Sequence, residues 1–188
     1  MSTSEITPLT DRLAAAIRVV PDFPSPGIMF QDVTPVLADR ELLRDAIAAL
    51  AKPWREAGVT HVAAIESRGF IFGAPVALAL GAGFIPIRKP GKLPYERAGQ
   101  DYALEYGTGR LEVHVDACPQ SARVLVVDDV LATGGTANAA CELIEGVGGS
   151  VVGCAFFLAI QALAGIRRLD GRAVEVLMPV GAKGAGVE

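Results

Sequence analysis

The sequence predicts an α/β fold, a central and mainly parallel sheet flanked by helices, and three observations carry that prediction. Apolar runs stand at 62–65, 84–87, 124–127 and 151–160, the third mostly β-branched, continuous rather than alternating, as strands buried on both faces require. Two of these runs end abruptly in polar clusters, Glu66-Ser67-Arg68-Gly69 and Asp128-Asp129. The second cluster leads through a small-residue loop into Ala137, Ala140, Cys141, Ile144 and Val147, spaced at three and four as on a helix. Strands that end this way bring polar groups to the sheet's carboxyl edge, where ligands of open α/β sheets bind.

Composition bounds the function classes. A chain of 188 residues, 51% hydrophobic and 20% charged, is one domain, 1–188, with a real core. A net charge of −4 and a pI near 5.3 argue against a nucleic-acid-binding face. Cys118, Cys141 and Cys154 stand far apart with no CxxC spacing, as in a reduced, cytoplasmic protein. The start, MSTSEIT, has neither the basic nor the apolar region of a signal peptide. Gly69 to Ile87 has 19 residues without a charge, long enough to flag as a membrane span. Pro75, Gly81, Gly83 and Pro86 interrupt it, and a helix of about three turns, a turn and a strand at Phe84 to Ile87 explain it better, so no membrane partner is expected.

In chain order, Leu9, Leu13, Ile17 and Val20 predict a first helix that Pro21 stops. PDFPSPGIMF cannot be helical, so Ile28, Met29 and Phe30 emerge on a constrained loop or edge strand. That segment is either a packed connector or a cover for a flat, uncharged heterocycle. Asp39 can cap a helix in which Leu42, Leu43, Ala46, Ile47 and Leu50 face the core, Pro53 ends it, and Trp54 packs. After the strand at 62–65, Arg68 is either a surface arginine at a turn or a planar fork of donors for a pyrophosphate. Arg88, Lys89, Lys92 and Arg97 precede two alternating runs, Tyr102/Leu104/Tyr106 and Leu111/Val113/Val115, which read as a hairpin turning at Gly107 to Gly109. A long hairpin with a basic tip is either a solvated loop or a mobile cover over an anionic ligand. His61 and His114 have no ligand-spaced neighbours and read as structural or exposed. A strand at Val151 to Ile160, a short helix at Leu163 to Leu169 and a strand with Val174, Val176 and Met178 close the chain, with a frayed tail.

The most informative stretch is RVLVVDDVLATGGT, Arg123 to Thr136. Gly134 and Gly135 let backbone N–H groups face a common concavity at a helix N-terminus, and Thr133 and Thr136 add hydroxyl donors, a setting for a phosphate monoester. The lysine of a P-loop is absent, and no GxGxxG occurs. Acids placed just before the loop imply a ligand with hydroxyls, or a metal, one sugar's width from its phosphate.

This run closely resembles the signature of the type I phosphoribosyltransferases. PDFPSPGIMFQDVTPVL, ESRGFIFGAPVALALG, IRKPGKLPYE, YALEYG and VVDDVLATGGTANAACELI match, in order, the adenine-specific branch of that family from Pro21 to Ile144. The resemblance implies the type I fold with an N-terminal hood over 1–35 and a flexible hairpin over 88–115. It implies transfer of phosphoribose from phosphoribosyl pyrophosphate to adenine, giving AMP and pyrophosphate, with Mg²⁺ and a homodimer.

Carried over by position, Ala132, Thr133, Gly134, Gly135 and Thr136 would hold the 5-phosphate, and Asp128 and Asp129 the ribose hydroxyls, directly or through water on the metal. Ser67, Arg68, Lys89 and Lys92 would meet pyrophosphate, with a cis peptide between Ser67 and Arg68 and with Arg88 placed to reach across the dimer. Ile28, Met29, Phe30, Gln31 and Ile160 would hold adenine, and Glu105 would transfer a proton at the purine. The chain departs from the pattern at Ala159, where the family commonly carries an acid. A transferase for a 6-oxopurine would place a lysine after the acids and threonines to read the exocyclic oxygen; a regulator that only senses phosphoribosyl pyrophosphate would carry a DNA-binding module or a basic face.

Overall fold

The computed structural model describes residues 7–104 and 107–181. Its first helix, α1 (Leu9–Ala16), ends earlier than expected, because the chain is already extended at Ile17 and forms β1 (Arg18–Pro21). Val19 and Val20 are β-branched and Val20 precedes a proline, which together disfavour the helical region. β1 pairs antiparallel with β2 (Met29–Asp32), Val20 opposite Phe30, so PDFPSPGIMF adopts the edge-strand alternative. The connection carries a cis Phe23-Pro24 peptide and Gly27 at φ +87°, a left-handed conformation suited to glycine. A short helix not anticipated, α2 (Thr34–Ala38), follows, its start held by the Asp32 carboxylate accepting from the Thr34 N–H at 2.9 Å.

Asp39 caps α3 (Arg40–Ala51), its carboxylate accepting from the Glu41 and Leu42 N–H groups at 2.8 and 3.0 Å. Leu42, Ala46, Ile47 and Leu50 are buried on α3, and Trp54 is buried beyond it. Then come β3 (His61–Ile65), α4 (Arg68–Leu80), β4 (Gly83–Ile87), β5 (Arg97–Leu104), β6 (Gly107–His114), β7 (Arg123–Leu131), α5 (Gly135–Gly146), β8 (Ser150–Ile160) and β9 (Val174–Val180). Among the described residues no helix is long and apolar enough to cross a membrane.

The five-stranded sheet has the order β4-β3-β7-β8-β9, and every neighbouring pair is parallel. Val124 to Val127 are fully buried at its centre. Their side chains alternate between two cores: Leu125 and Val127 join the one built with α3 and α4, Val124 and Val126 the one built with α5 and the β5–β6 hairpin. α4 lies close on β3, since a Cβ at Gly73 would come 2.4 Å from that of Ala64. Cys141 and Cys154 are buried in the second core, and all three cysteines are free.

Three expectations are corrected here. Leu104 pairs with Gly107 and Tyr102 with Gly109, so Gly107 to Gly109 are strand rather than the expected turn. The tight cross-strand fit enforces this register: a Cβ at Gly109 would lie 2.5 Å from the Tyr102 ring. The basic residues stand at the hairpin's foot rather than its tip, because buried Glu112 draws in the Gly91 N–H at 3.0 Å and Arg97 at 3.1 Å. The expected helix at 163–169 is two short 3₁₀ turns, Gln161–Leu163 and Gly165–Leu169, broken at Ala164 with φ +49°. Of the tail expected to fray, 181–188, all but Gly181 lies outside the described residues.

Phe72 of α4 stacks on Phe157 of β8 with ring centroids 4.9 Å apart, and both are fully buried. Phe72→Ala should therefore cost about 3–5 kcal/mol, read as a lower urea midpoint at unchanged slope.

Candidate active site

Ala64 of β3 is in register with Val127 of β7, so the polar clusters that follow these strands emerge side by side. They form one end of a cleft of about 680 Å³. Glu66, Ser67, Arg68, Lys89, Asp128, Asp129, Ala132 and Thr136 line its polar part; Ile28, Met29, Phe30, Gln31 and Ile160 line the rest. Most of the residues anticipated from the sequence thus share one cavity. Thr133, Gly134, Gly135, Arg88 and Lys92 are not among its lining residues, and Glu105 is outside the described residues.

The two clusters are locked together. Arg68 donates from Nε to the Asp129 carboxylate, and its guanidinium lies 5.9 Å from the Phe30 ring centroid. Asp128 accepts from the Asp129 N–H at 2.9 Å, while a Cβ at Gly69 would come within 2.7 Å of its Oδ1. Only glycine lets α4 begin this close to the acid. Loss of hydration, with the Asp129 charge alongside, raises the Asp128 carboxyl well above the usual carboxylate range. The cis peptide expected at Ser67-Arg68 falls one bond earlier, at Glu66-Ser67. Arg68 is the first residue of α4.

Glu66 is a site residue that the sequence reading did not single out. It accepts from Arg88 Nε at 3.2 Å and Nη2 at 3.1 Å and from the Lys89 N–H at 3.0 Å. The Arg88 bonds, with lesser help from Lys89 and Lys92, hold its carboxyl below the usual range. Arg88 also donates to the Lys92 carbonyl at 3.0 Å. Its fork is therefore engaged by Glu66 and the Lys92 carbonyl. The outcome is a loop pinned beside the cleft with Lys89 on its wall. The sole signal available in sequence was Glu66's place directly after a buried strand.

The loop 132–136 turns at Gly134, φ +80°, and α5 starts at Gly135 with no side-chain cap. The first N–H groups of a helix lack partners within it, so this end is open to an anion. Tyr102 and Leu111 of the hairpin, with Leu158 and Leu163, complete the cleft; alternation along the hairpin was the signal for the first two. Ala159 faces away, into a separate cavity of about 420 Å³.

A family model for the phosphoribosyl transferase domain matches residues 35–187. An adenine phosphoribosyltransferase of Methylococcus capsulatus is 54% identical over 168 residues, 89% of this chain and 98% of that protein. The crystal structure of adenine phosphoribosyltransferase from Rhodothermus marinus matches with a TM-score of 0.87 at 51% identity, covering 92% of this chain and 98% of that one. That from Saccharomyces cerevisiae, complexed with adenine and an imino-altritol bisphosphate, matches at 0.86 and 37% identity, covering 92% and 100%.

The raised Asp128 carboxyl sets a pH dependence. The native state holds that proton to higher pH than the unfolded chain does, so this group's contribution to stability declines as pH rises from the ordinary carboxylate range. Asp128→Asn keeps an acceptor for the Asp129 N–H without the charge. It should melt higher than the parent at neutral pH, with the gap closing toward pH ~4, as measured by calorimetry across pH.

Proposed function

The chain belongs to the adenine phosphoribosyltransferases of the phosphoribosyl transferase family, and we propose that it converts adenine and phosphoribosyl pyrophosphate to AMP and pyrophosphate. One observation carries the assignment of parts: a single cleft joins an apolar wall, paired acids, a cationic end and an uncapped helix start. That order matches a base, a ribose, a pyrophosphate and a 5-phosphate on one ligand pair.

Adenine lies between Ile28, Met29 and Phe30 on one side and Ile160 on the other, with Met29 and Gln31 backbone groups reading its edge. N9 of adenine forms a bond to carbon 1 of the ribose as the bond from carbon 1 to the pyrophosphate oxygen breaks. Positive charge builds on the ribose and negative charge on the leaving group, so fixed charges and exclusion of water govern the rate. Asp128 and Asp129 hold the ribose hydroxyls, while Ser67, Arg68, Lys89 and Lys92 meet the pyrophosphate. Arg68 exchanges its Asp129 partner for the donor. Ala132 to Thr136 take the 5-phosphate, and Glu105 moves the proton that N9 gives up.

Two adjacent carboxylates beside a phosphate site suit Mg²⁺, a hard cation that needs few protein ligands when it binds phosphate oxygens and keeps several waters. Asp128 and Asp129 would hold it, chiefly through water, where it neutralises pyrophosphate charge. Among the described residues no larger acidic or histidine cluster offers another cage. Residues 1–188 act as one domain, with 1–35 as a hood and 88–115 as a cover that closes over the ligands. Ile71, Leu78 and Phe84 expose apolar surface on α4 and β4, which favours a homodimer. Three free cysteines fit the cytoplasm.

The test is AMP formation from adenine and phosphoribosyl pyrophosphate with Mg²⁺, beside hypoxanthine and guanine. Adenine should be strongly preferred, and Glu105→Ala should lower kcat by roughly 10²–10⁴-fold. Turnover preferring a 6-oxopurine would reject the base assignment. Glu66→Ala should raise KM for phosphoribosyl pyrophosphate several-fold and leave KM for adenine unchanged; an equal rise in both would mean that Glu66 supports the whole cleft rather than the loop with Lys89.

A further inference from the structure

The loop 132–136 carries no cation of its own, although a phosphate monoester brings nearly two negative charges to it. We propose that Arg168, on the 165–169 turn, is the missing cation and binds the 5-phosphate of the ribosyl substrate. The inference rests on the phosphoribosyl reading above and adds to it a residue outside the matched motifs.

The turn and the loop are pressed together by glycines. A Cβ at Gly165 would come 2.1 Å from the Ala132 carbonyl oxygen and 2.8 Å from the Gly134 nitrogen, and one at Gly134 would come 2.3 Å from the Gly165 carbonyl oxygen. Neither segment can shift without the other, so Arg168 has a fixed origin relative to the phosphate cradle. Its Cβ packs 3.1 Å from the Cβ position at Gly134, and its Nη1 reaches 3.2 Å from the Cβ position at Gly135, the first residue of α5. Thr133 Oγ1 lies 3.9 Å from that same point. A guanidinium nitrogen, a hydroxyl anticipated to bind phosphate and the open start of a 12-residue helix therefore converge around Gly135.

The charge on Arg168 is uncommitted. Arg172, on the same stretch of chain, is tied to Glu145 at 2.5 and 3.0 Å, and Arg88 is held by Glu66. Arg168 is exposed and makes no ion pair or side-chain hydrogen bond among the described residues. A planar fork of donors with no carboxylate partner suits phosphate oxygens. Arg167, its neighbour, lines the separate cavity with Ala159 and serves as the control.

The experiment compares binding of ribose 5-phosphate, AMP and pyrophosphate to the full chain by calorimetry. Arg168→Gln keeps the aliphatic stem over Gly134. It should weaken ribose 5-phosphate and AMP about tenfold, the scale of one charge-assisted hydrogen bond, and leave pyrophosphate, which lacks the 5-phosphate, within about twofold. Arg168→Lys should recover part of the loss, and Arg167→Gln should bind all three like the parent. Unchanged binding of ribose 5-phosphate, an equal loss for pyrophosphate, or the same loss in Arg167→Gln would overturn the assignment. Retained pyrophosphate binding also reports that the variant is folded. A parent chain that binds neither ribose 5-phosphate nor AMP would overturn the phosphoribosyl reading, and this inference with it.

Discussion

The carboxyl edge of this sheet depends on how closely α4 can begin beside the end of β7. Gly69 has no room for a Cβ next to Asp128, and Arg68, one residue earlier, bonds to Asp129. These contacts clamp two strand ends that would otherwise carry unrelated turns. They also place a guanidinium and two acids within one cleft, where opposite charges hold each other. Packing and chemistry are set here by the same few atoms, which is why the strand ends read as a site and not merely as turns.

The distribution of charge follows a consistent rule. Carboxylates with little exposure gather the arginines near them: Glu66 holds Arg88, Glu112 holds Arg97, and Asp129 holds Arg68. Each pairing restricts a loop or strand end that borders the cleft, and a burial cost that would fall on an isolated charge is offset by its partner. Lys89 and Arg168 take part in no such pairing among the described residues. Lys89 lines the cleft, and Arg168 lies beside Gly134 and Gly135 at the start of α5.

Parts of the molecule that are contiguous in sequence could be read directly. The strand Val124 to Val127, the acids after it and the loop Ala132 to Thr136 occur within one run, and period and residue type define them without reference to distant segments. The helix capped by Asp39 was equally plain, because capping is a contact over two or three residues. The N-terminal helix was overextended because Ile17 and Val20 fit a helical spacing. What removes them from the helix is pairing with 29–32, a partner absent from any local window. The hairpin turn was misplaced for a similar reason: glycines mark turns, but Gly109 lies beneath Tyr102 in a strand.

By itself the sequence determined the α/β class, the central buried strand and the small-residue loop after it, since these follow from periodicity, glycine placement and residue chemistry over short spans; most of the anticipated cleft residues came from the family resemblance. Only the tertiary structure decided that Glu66 would hold the loop bearing Lys89, that Arg88 would be engaged within its own chain, and that the 165–169 turn would press Arg168 against the start of α5. Each of those contacts joins segments more than twenty residues apart. The physical reason is that side-chain charges take whichever partner the packed backbone brings within a few ångströms, and that choice is made by sheet order and glycine-enforced close approach, neither of which is written in a local pattern.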